Sequence, residues 1–151
     1  MSLRIVLVGY GRMGKAIDAI SADHDCHVVE RLDIHNNRNG EGLDSSSFDD
    51  VDVAIEFSLP EAIVSNVTKL ATRGVNVVIG TTGWENDEPA LRRVVEENHI
   101  GVVHAANSGE PRARDELGIA GLNFRSARRR PNNFMQSDRA QSRRKNGDQS
   151  S

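Results

Sequence analysis

Short apolar runs alternate along the chain with stretches whose apolar residues recur every three or four positions. Leu3–Val8 is an apolar run closed by glycines, which predicts a buried parallel strand. Met13, Ala16, Ile17 and Ile20 follow at helical spacing and predict one buried helix face. Residues 28–33 and 51–57 read as the second and third strands, the latter entered through the acidic turn "FDD". Ser58 and Glu61 have capping-box spacing with Pro60 in the first turn, and Ile63, Val67, Leu70 and Ala71 supply the stripe of a second helix. Gly74 stands where a left-handed C-cap is wanted. Residues 75–79 form a fourth strand, and Asp87 can cap a third helix with Leu91, Val94 and Val95 inward. Residues 100–104 form a fifth strand. Strands alternating with helices in this way predict an α/β fold: a Rossmann-like, doubly wound parallel sheet of about five strands. One connection, residues 34–50, has no helical stripe, and its length suggests a functional or mobile segment.

The pattern stops near Asn107. Residues 108–151 contain only six large apolar side chains, Leu117, Ile119, Leu122, Phe124, Phe134 and Met135. Six in 44 residues cannot offset the entropy of ordering them, so a disordered basic tail is expected, with a short strand or helical turn at most at 117–124. Charge changes at the same place: residues 1–107 carry −8 and residues 108–151 carry +5. The expected organisation is therefore a nucleotide-binding domain at 1–107 and a divergent tail at 108–151. With aromatics at 4% of the chain, aliphatic side chains must fill most of the core.

The single cysteine, Cys26, excludes an intrachain disulfide and has no catalytic partner nearby in the sequence. The apolar run at the N-terminus is too short for a signal-peptide core or a membrane span. These features lead to the expectation of a soluble cytoplasmic protein. His24, His27, His35, His99 and His104 show no metal-ligand spacing and read as surface or packing residues, so no metal site is expected.

Candidate chemistry lies at the strand ends. "VLVGYGRMGKAI" sets Gly9, Tyr10, Gly11, Arg12, Met13 and Gly14 between the first strand and the first helix, in G-x-G-x-x-G spacing. The first glycine permits a tight turn, the second lets a diphosphate approach the backbone, and the third lets the helix pack closely. The helix N-terminus offers unpaired N–H groups to phosphate, and Arg12 can add a charge. Asp33 follows Gly14 by 19 residues, where a carboxylate accepts hydrogen bonds from the adenosine ribose; Glu30 is a rival placed mid-strand. The cofactor read from this pattern is NAD or NADP, as NADH or NADPH. Asp33 argues for the former, while Arg31, His35 and Arg38 could attract a 2′-phosphate. "VVIGTTGWE" puts Gly80, Thr81 and Thr82 at the carboxyl end of the fourth strand, as a ligand contact or as a plain turn. Phe57, ending the third strand, could flank a nicotinamide ring or simply pack.

Taken in order, "VGYGRMGK", "AIEFSLPEAI", "VVIGTTGW" and "VVHAAN" resemble the 4-hydroxy-tetrahydrodipicolinate reductase (dihydrodipicolinate reductase) family of lysine and diaminopimelate biosynthesis, over about residues 3–107. The resemblance implies that Gly9 to Gly14 hold the pyrophosphate and Asp33 the ribose. It also implies that Gly80, Thr81 and Thr82 lie by the nicotinamide, with Ala105, Ala106 and Asn107 at a domain hinge. The family, usually tetrameric, reduces a cyclic imine with hydride from NADH or NADPH. Its second domain carries the proton donor in a Glu-x-His-His-x-x-Lys-x-Asp-x-Pro-Ser-Gly-Thr motif. No histidine follows His104 here and the only later lysine is Lys145. No catalytic residue is therefore assigned, and a small-molecule substrate is expected only if a second domain is supplied. The change at Asn107 leads to the expectation of a shifted reading frame or a truncated product. An alternative is a non-catalytic NAD(H)-binding regulatory module whose basic tail contacts a partner or nucleic acid. The arginines of the tail lack aromatic interleaving or a recognition helix, which argues against nucleic acid.

Overall fold

The computed structural model describes residues 2–45 and 48–104, together with the backbone of 133–136. Its strands are β1 (Leu3–Val8), β2 (Cys26–Leu32), β3 (Val53–Glu56), β4 (Asn76–Ile79), β5 (Gly101–His104) and β6 (Asn133–Gln136). They form one sheet in the order β2-β1-β3-β4-β5-β6, and every pairing is parallel. Chain order reverses between β1 and β3, which makes the crevice at their carboxyl ends the expected ligand position. The sixth strand was not anticipated. It falls inside the segment read as tail, where Phe134 and Met135 are the only apolar neighbours. The possible element at 117–124 lies outside the described residues.

The helices are α1 (Arg12–Ser21), α2 (Ile63–Thr72) and α3 (Glu88–Asn98). Alternation along β1 divides the core. Val6 and Val8 join Ala54, Val77, Ile79 and Val102 under α2 and α3, while Ile5 and Leu7 pack with Ile17 of α1. The expected stripes of α2 and α3 are the ones buried, with Val94 only partly so. That of α1 differs: Gly14, Ile17 and Ser21 are buried, whereas Ala16 is exposed. A glycine lets the helix approach, and Ser21 satisfies its hydroxyl on the Ile17 carbonyl at 2.7 Å. Neither small residue signals burial by hydropathy.

Gly74 ends α2 as expected, with φ +70°. The N–H groups of Gly74 and Val75 close back on Ala71 and Leu70 at 2.9 and 3.1 Å. The Ser58–Glu61 capping box does not form. A 3-10 turn at Pro60–Ala62 precedes α2, and no side chain caps it. Asp87 holds the N-cap position of α3 without a side-chain bond.

The connection at 34–50 is packed rather than loose where it is described. Leu43 and Phe48 are each 1% exposed in the core below α2. Lys69 Nζ donates to the Gly40 carbonyl and to Asp44, and Arg73 donates to the carbonyls of Ser45 and Asp44 while lying over the Phe48 ring. Two cations, Lys69 in the last turn of α2 and Arg73 at its C-cap, thus supply the donors that a helix-less connection needs. No helix among the described residues is long and apolar enough to cross a membrane.

Candidate functional site

The carboxyl ends of β1, β3 and β4 meet at the crevice. At Gly9 the chain turns with φ +91°, and the N–H groups of Gly9 and Tyr10 both donate to the Leu32 carbonyl at 2.8 Å. A Cβ on Gly9 would lie 2.5 Å from the Phe57 carbonyl group, so the turn touches the β3 loop directly. A Cβ on Gly14 would meet the Gly9 carbonyl oxygen at 2.6 Å, which seats α1 against the turn. Gly11 is different: a Cβ there meets nothing within 4 Å. Gly11 is also the N-cap of α1, whose first turn has no acidic residue and no side-chain cap. Two closed glycines and one open one therefore leave the helix N-terminus facing free space, the arrangement a diphosphate requires. Arg12 stands exposed beside it.

Tyr10 does not face that space alone. Its hydroxyl donates to Asp18 Oδ2 at 2.6 Å, and Asp18 also accepts from Arg31 Nε at 2.6 Å and Nη2 at 2.8 Å. The Arg31 guanidinium and the Tyr10 hydroxyl hold the Asp18 carboxyl below its ordinary range, while that carboxylate raises Tyr10. Arg31 is thus paired with Asp18 in this structure, with its side chain 43% exposed.

Asp33 directly follows β2. Its Oδ1 accepts from the backbone N–H groups of His35 (2.7 Å) and Asn36 (3.2 Å), and its own N–H donates to Asn36 Oδ1 at 2.7 Å. The bond from the His35 N–H is the main reason its carboxyl is held low, and Lys15 adds to it. The carboxylate is therefore charged and fixed at the crevice rim by an Asx-type turn. Glu30, the rival, lies mid-strand, with Oε1 accepting the Arg31 N–H.

On the other side, a Cβ on Gly80 would run into the ring of Phe57, so that ring packs directly against the end of β4. The Thr81 hydroxyl donates to the Ser58 carbonyl at 3.2 Å, and Thr82 is exposed. Thr81 is thus committed to joining two loops, while Thr82 keeps its side chain toward solvent. Trp84 is 1% exposed, donates from Nε1 to the Thr81 carbonyl at 2.8 Å, and stacks edge-on against His104 at 4.7 Å. His104 is buried, and its Nε2 has no partner among the described residues. Ala105, Ala106 and Asn107 lie outside the described residues.

Sequence reasoning missed Glu56. It ends β3 and is fully buried. Oε1 accepts the Ser58 N–H at 2.8 Å and Oε2 accepts Asn66 Nδ2 at 3.1 Å. Burial pushes its carboxyl up to about 6, against the opposing pull of the hydrogen bonds from Ser58 and Asn66. Its backbone carbonyl receives the Gly80 N–H at 3.0 Å. One residue thereby joins β3, β4 and α2 beneath the crevice. The signal available was an acid closing an apolar strand, "VAIE", where a solvated strand end is the commoner explanation. Cys26 is a poor thiolate, since burial raises its thiol. Among the described residues no group of three His, Cys, Asp or Glu side chains could hold a metal ion.

An all-parallel sheet with a glycine turn opening onto a bare helix N-terminus, and an acid fixed at the end of the next strand, defines the class of Rossmann-type dinucleotide-binding domains. Residues 3–108 match the family described as dihydrodipicolinate reductase, N-terminus, and the chain belongs to that family. The matched region is the family's nicotinamide-dinucleotide-binding half. A 4-hydroxy-tetrahydrodipicolinate reductase of Christiangramia forsetii is 37% identical over 105 residues, which is 70% of this chain and 42% of that protein. Another, of Bifidobacterium animalis subsp. lactis, is 36% identical over 88 residues, covering 57% of this chain and 33% of that one. Among solved structures, the dipicolinate-bound dihydrodipicolinate reductase from Paenisporosarcina sp. TG-14 superposes with TM-score 0.57 and 22% identity, over 71% of this chain and 48% of that one. An engineered D-amino acid dehydrogenase bound to NADP+ gives TM-score 0.52 and 20% identity, over 70% and 36%. The chain spans less than half the length of these curated relatives.

Proposed function

We propose that residues 3–107 are the cofactor-binding half of an NAD(P)H-dependent 4-hydroxy-tetrahydrodipicolinate reductase, acting in the cytoplasm. The observation that carries this reading is the open face of Gly11 at the uncapped start of α1, between two glycines that are sterically closed. In it, the N–H groups of the first turn of α1 and the Arg12 guanidinium hold the diphosphate. Asp33, fixed by the His35 and Asn36 amides, accepts from the adenosine ribose. Phe57, Gly80 and Thr82 border the nicotinamide end, and Thr81 with Glu56 keeps that border rigid. The reduced cofactor supplies hydride. Ala105, Ala106 and Asn107 follow β5 in the sequence, where the family resemblance implies a domain hinge.

Reduction needs an imine held about 3–3.5 Å from the nicotinamide and a proton donor for it. Residues 108–151 contain no histidine and none of the family's donor motif. The proposal is therefore binding without turnover by this chain alone, with residues past Asn107 read from another frame. Calorimetry with NADH tests the first half, and the absence of binding at millimolar cofactor would remove it. A reductase assay on the purified chain tests the second, and measurable turnover would overturn it. The coding DNA should carry the missing motif in one of its other two frames past Asn107.

A further inference from the structure

The contact among Tyr10, Asp18 and Arg31 bears on which dinucleotide the crevice accepts. Arg31 lies near the end of β2, facing Asp18 of α1, and Asp33 follows two residues later, directly after the strand. The only guanidinium on that strand is thus beside the acid assigned to the ribose. It is also engaged. Both oxygens of Asp18 take it, through Nε and Nη2, in the bidentate geometry that fits a guanidinium to a carboxylate, and this turns that edge of Arg31 toward α1. The Tyr10 hydroxyl holds the same carboxylate in place from the glycine turn.

The other cations near Asp33 stand outside β2. Lys15 lies near Asp33 and offsets it. The residue after Asp33 is Ile34, 75% exposed, with no donor to offer. His35 and Arg38 are the other cationic or titratable side chains on the adjoining turn, and the His35 amide already serves Asp33. A second phosphate at the adenosine 2′ position would bring close to two negative charges against Asp33 with Arg31 withheld.

We propose that Asp18 determines dinucleotide selectivity, favouring NADH over NADPH by holding the Arg31 guanidinium away from the 2′ position. The proposal rests on the reading of Asp33 as the ribose acid. Calorimetry on the full chain tests it, with NADH and NADPH as the probes and with the variants Asp18→Asn, Arg31→Ala and the double change. The wild-type chain should bind NADH about tenfold or more tightly than NADPH, the scale of one charge-assisted hydrogen bond. Asp18→Asn frees the guanidinium and should raise NADPH affinity by about tenfold, with Arg31→Ala in the same chain removing that gain. Arg31→Ala alone should leave NADPH affinity unchanged, because Asp18 holds the side chain toward α1 in the wild type. Equal wild-type affinities, or weaker NADPH binding on Arg31→Ala, would overturn the proposal while leaving the dinucleotide site intact. If Asp18→Asn does not fold, the wild-type ratio and the Arg31→Ala result decide it. Binding of neither nucleotide would remove the site and this inference together.

Discussion

Glu56 and Asn66 meet inside the molecule, the Asn66 amide donating across 3.1 Å to a carboxylate with no exposed surface. Burial raises that carboxyl to about 6 from an ordinary 4.5. A raised carboxyl favours the folded state while it is protonated. The contribution is fully present below about pH 4.5 and is lost as pH rises through about 6. The loss amounts to about 2 kcal/mol. Glu56→Gln should therefore remove this part of the pH dependence. Urea unfolding of both proteins across pH 4.5 to 7 should show the wild type losing stability relative to the variant; parallel profiles would contradict the burial argument.

Gly9 and Gly11 should respond differently to the same methyl group. Gly9→Ala forces a side chain into a left-handed backbone and against the Phe57 carbonyl, so a loss of at least about 1–3 kcal/mol in stability is expected. Gly11→Ala adds its methyl to open space and should leave the melting temperature nearly unchanged. If the diphosphate sits over Gly11, the same variant should nevertheless weaken NADH binding. Thermal melts and calorimetry on the two variants separate packing from binding.

Asp33→Asn retains an oxygen for the amides of His35 and Asn36 and should preserve the turn. It loses the charge that the ribose hydroxyls would meet. NADH affinity should fall by about tenfold with an unchanged circular dichroism spectrum, as expected for a hydrogen bond to a charged group. An unaltered affinity would shift attention to Glu30.

Arg73→Ala removes both guanidinium bonds to the 44–45 backbone and the cover over Phe48. A loss of about 1–2 kcal/mol is expected. Limited proteolysis should then cut within residues 38–50 sooner than in the wild type.

These contacts explain where sequence reading worked and where it stopped. The glycine turn, the position of Asp33 at the end of β2, the α2 and α3 stripes and the Gly74 cap are set by spacing along a few consecutive residues, and they were legible. The buried face of α1 was not, because Gly14 and Ser21 earn burial through closeness and a back-bonded hydroxyl rather than hydropathy. The packing of 34–50 was hidden since Leu43 and Phe48 stand singly and their supporting cations lie at the C-terminal end of α2, some 25 to 29 residues away. Glu56 depended on Asn66, ten residues on, turning inward to meet it. Strand β6 follows β5 only after residues in which no periodicity announces it.

Trp84 is the only tryptophan of the chain, and it sits sealed beneath the Gly80–Thr82 loop with its indole tied to Thr81. The protein therefore contains its own optical reporter at the crevice. Indole emission overlaps the absorption of a reduced nicotinamide ring, so a bound cofactor would dim that single emitter without any attached dye. Titrating the native chain and watching the light fall would count occupied crevices directly.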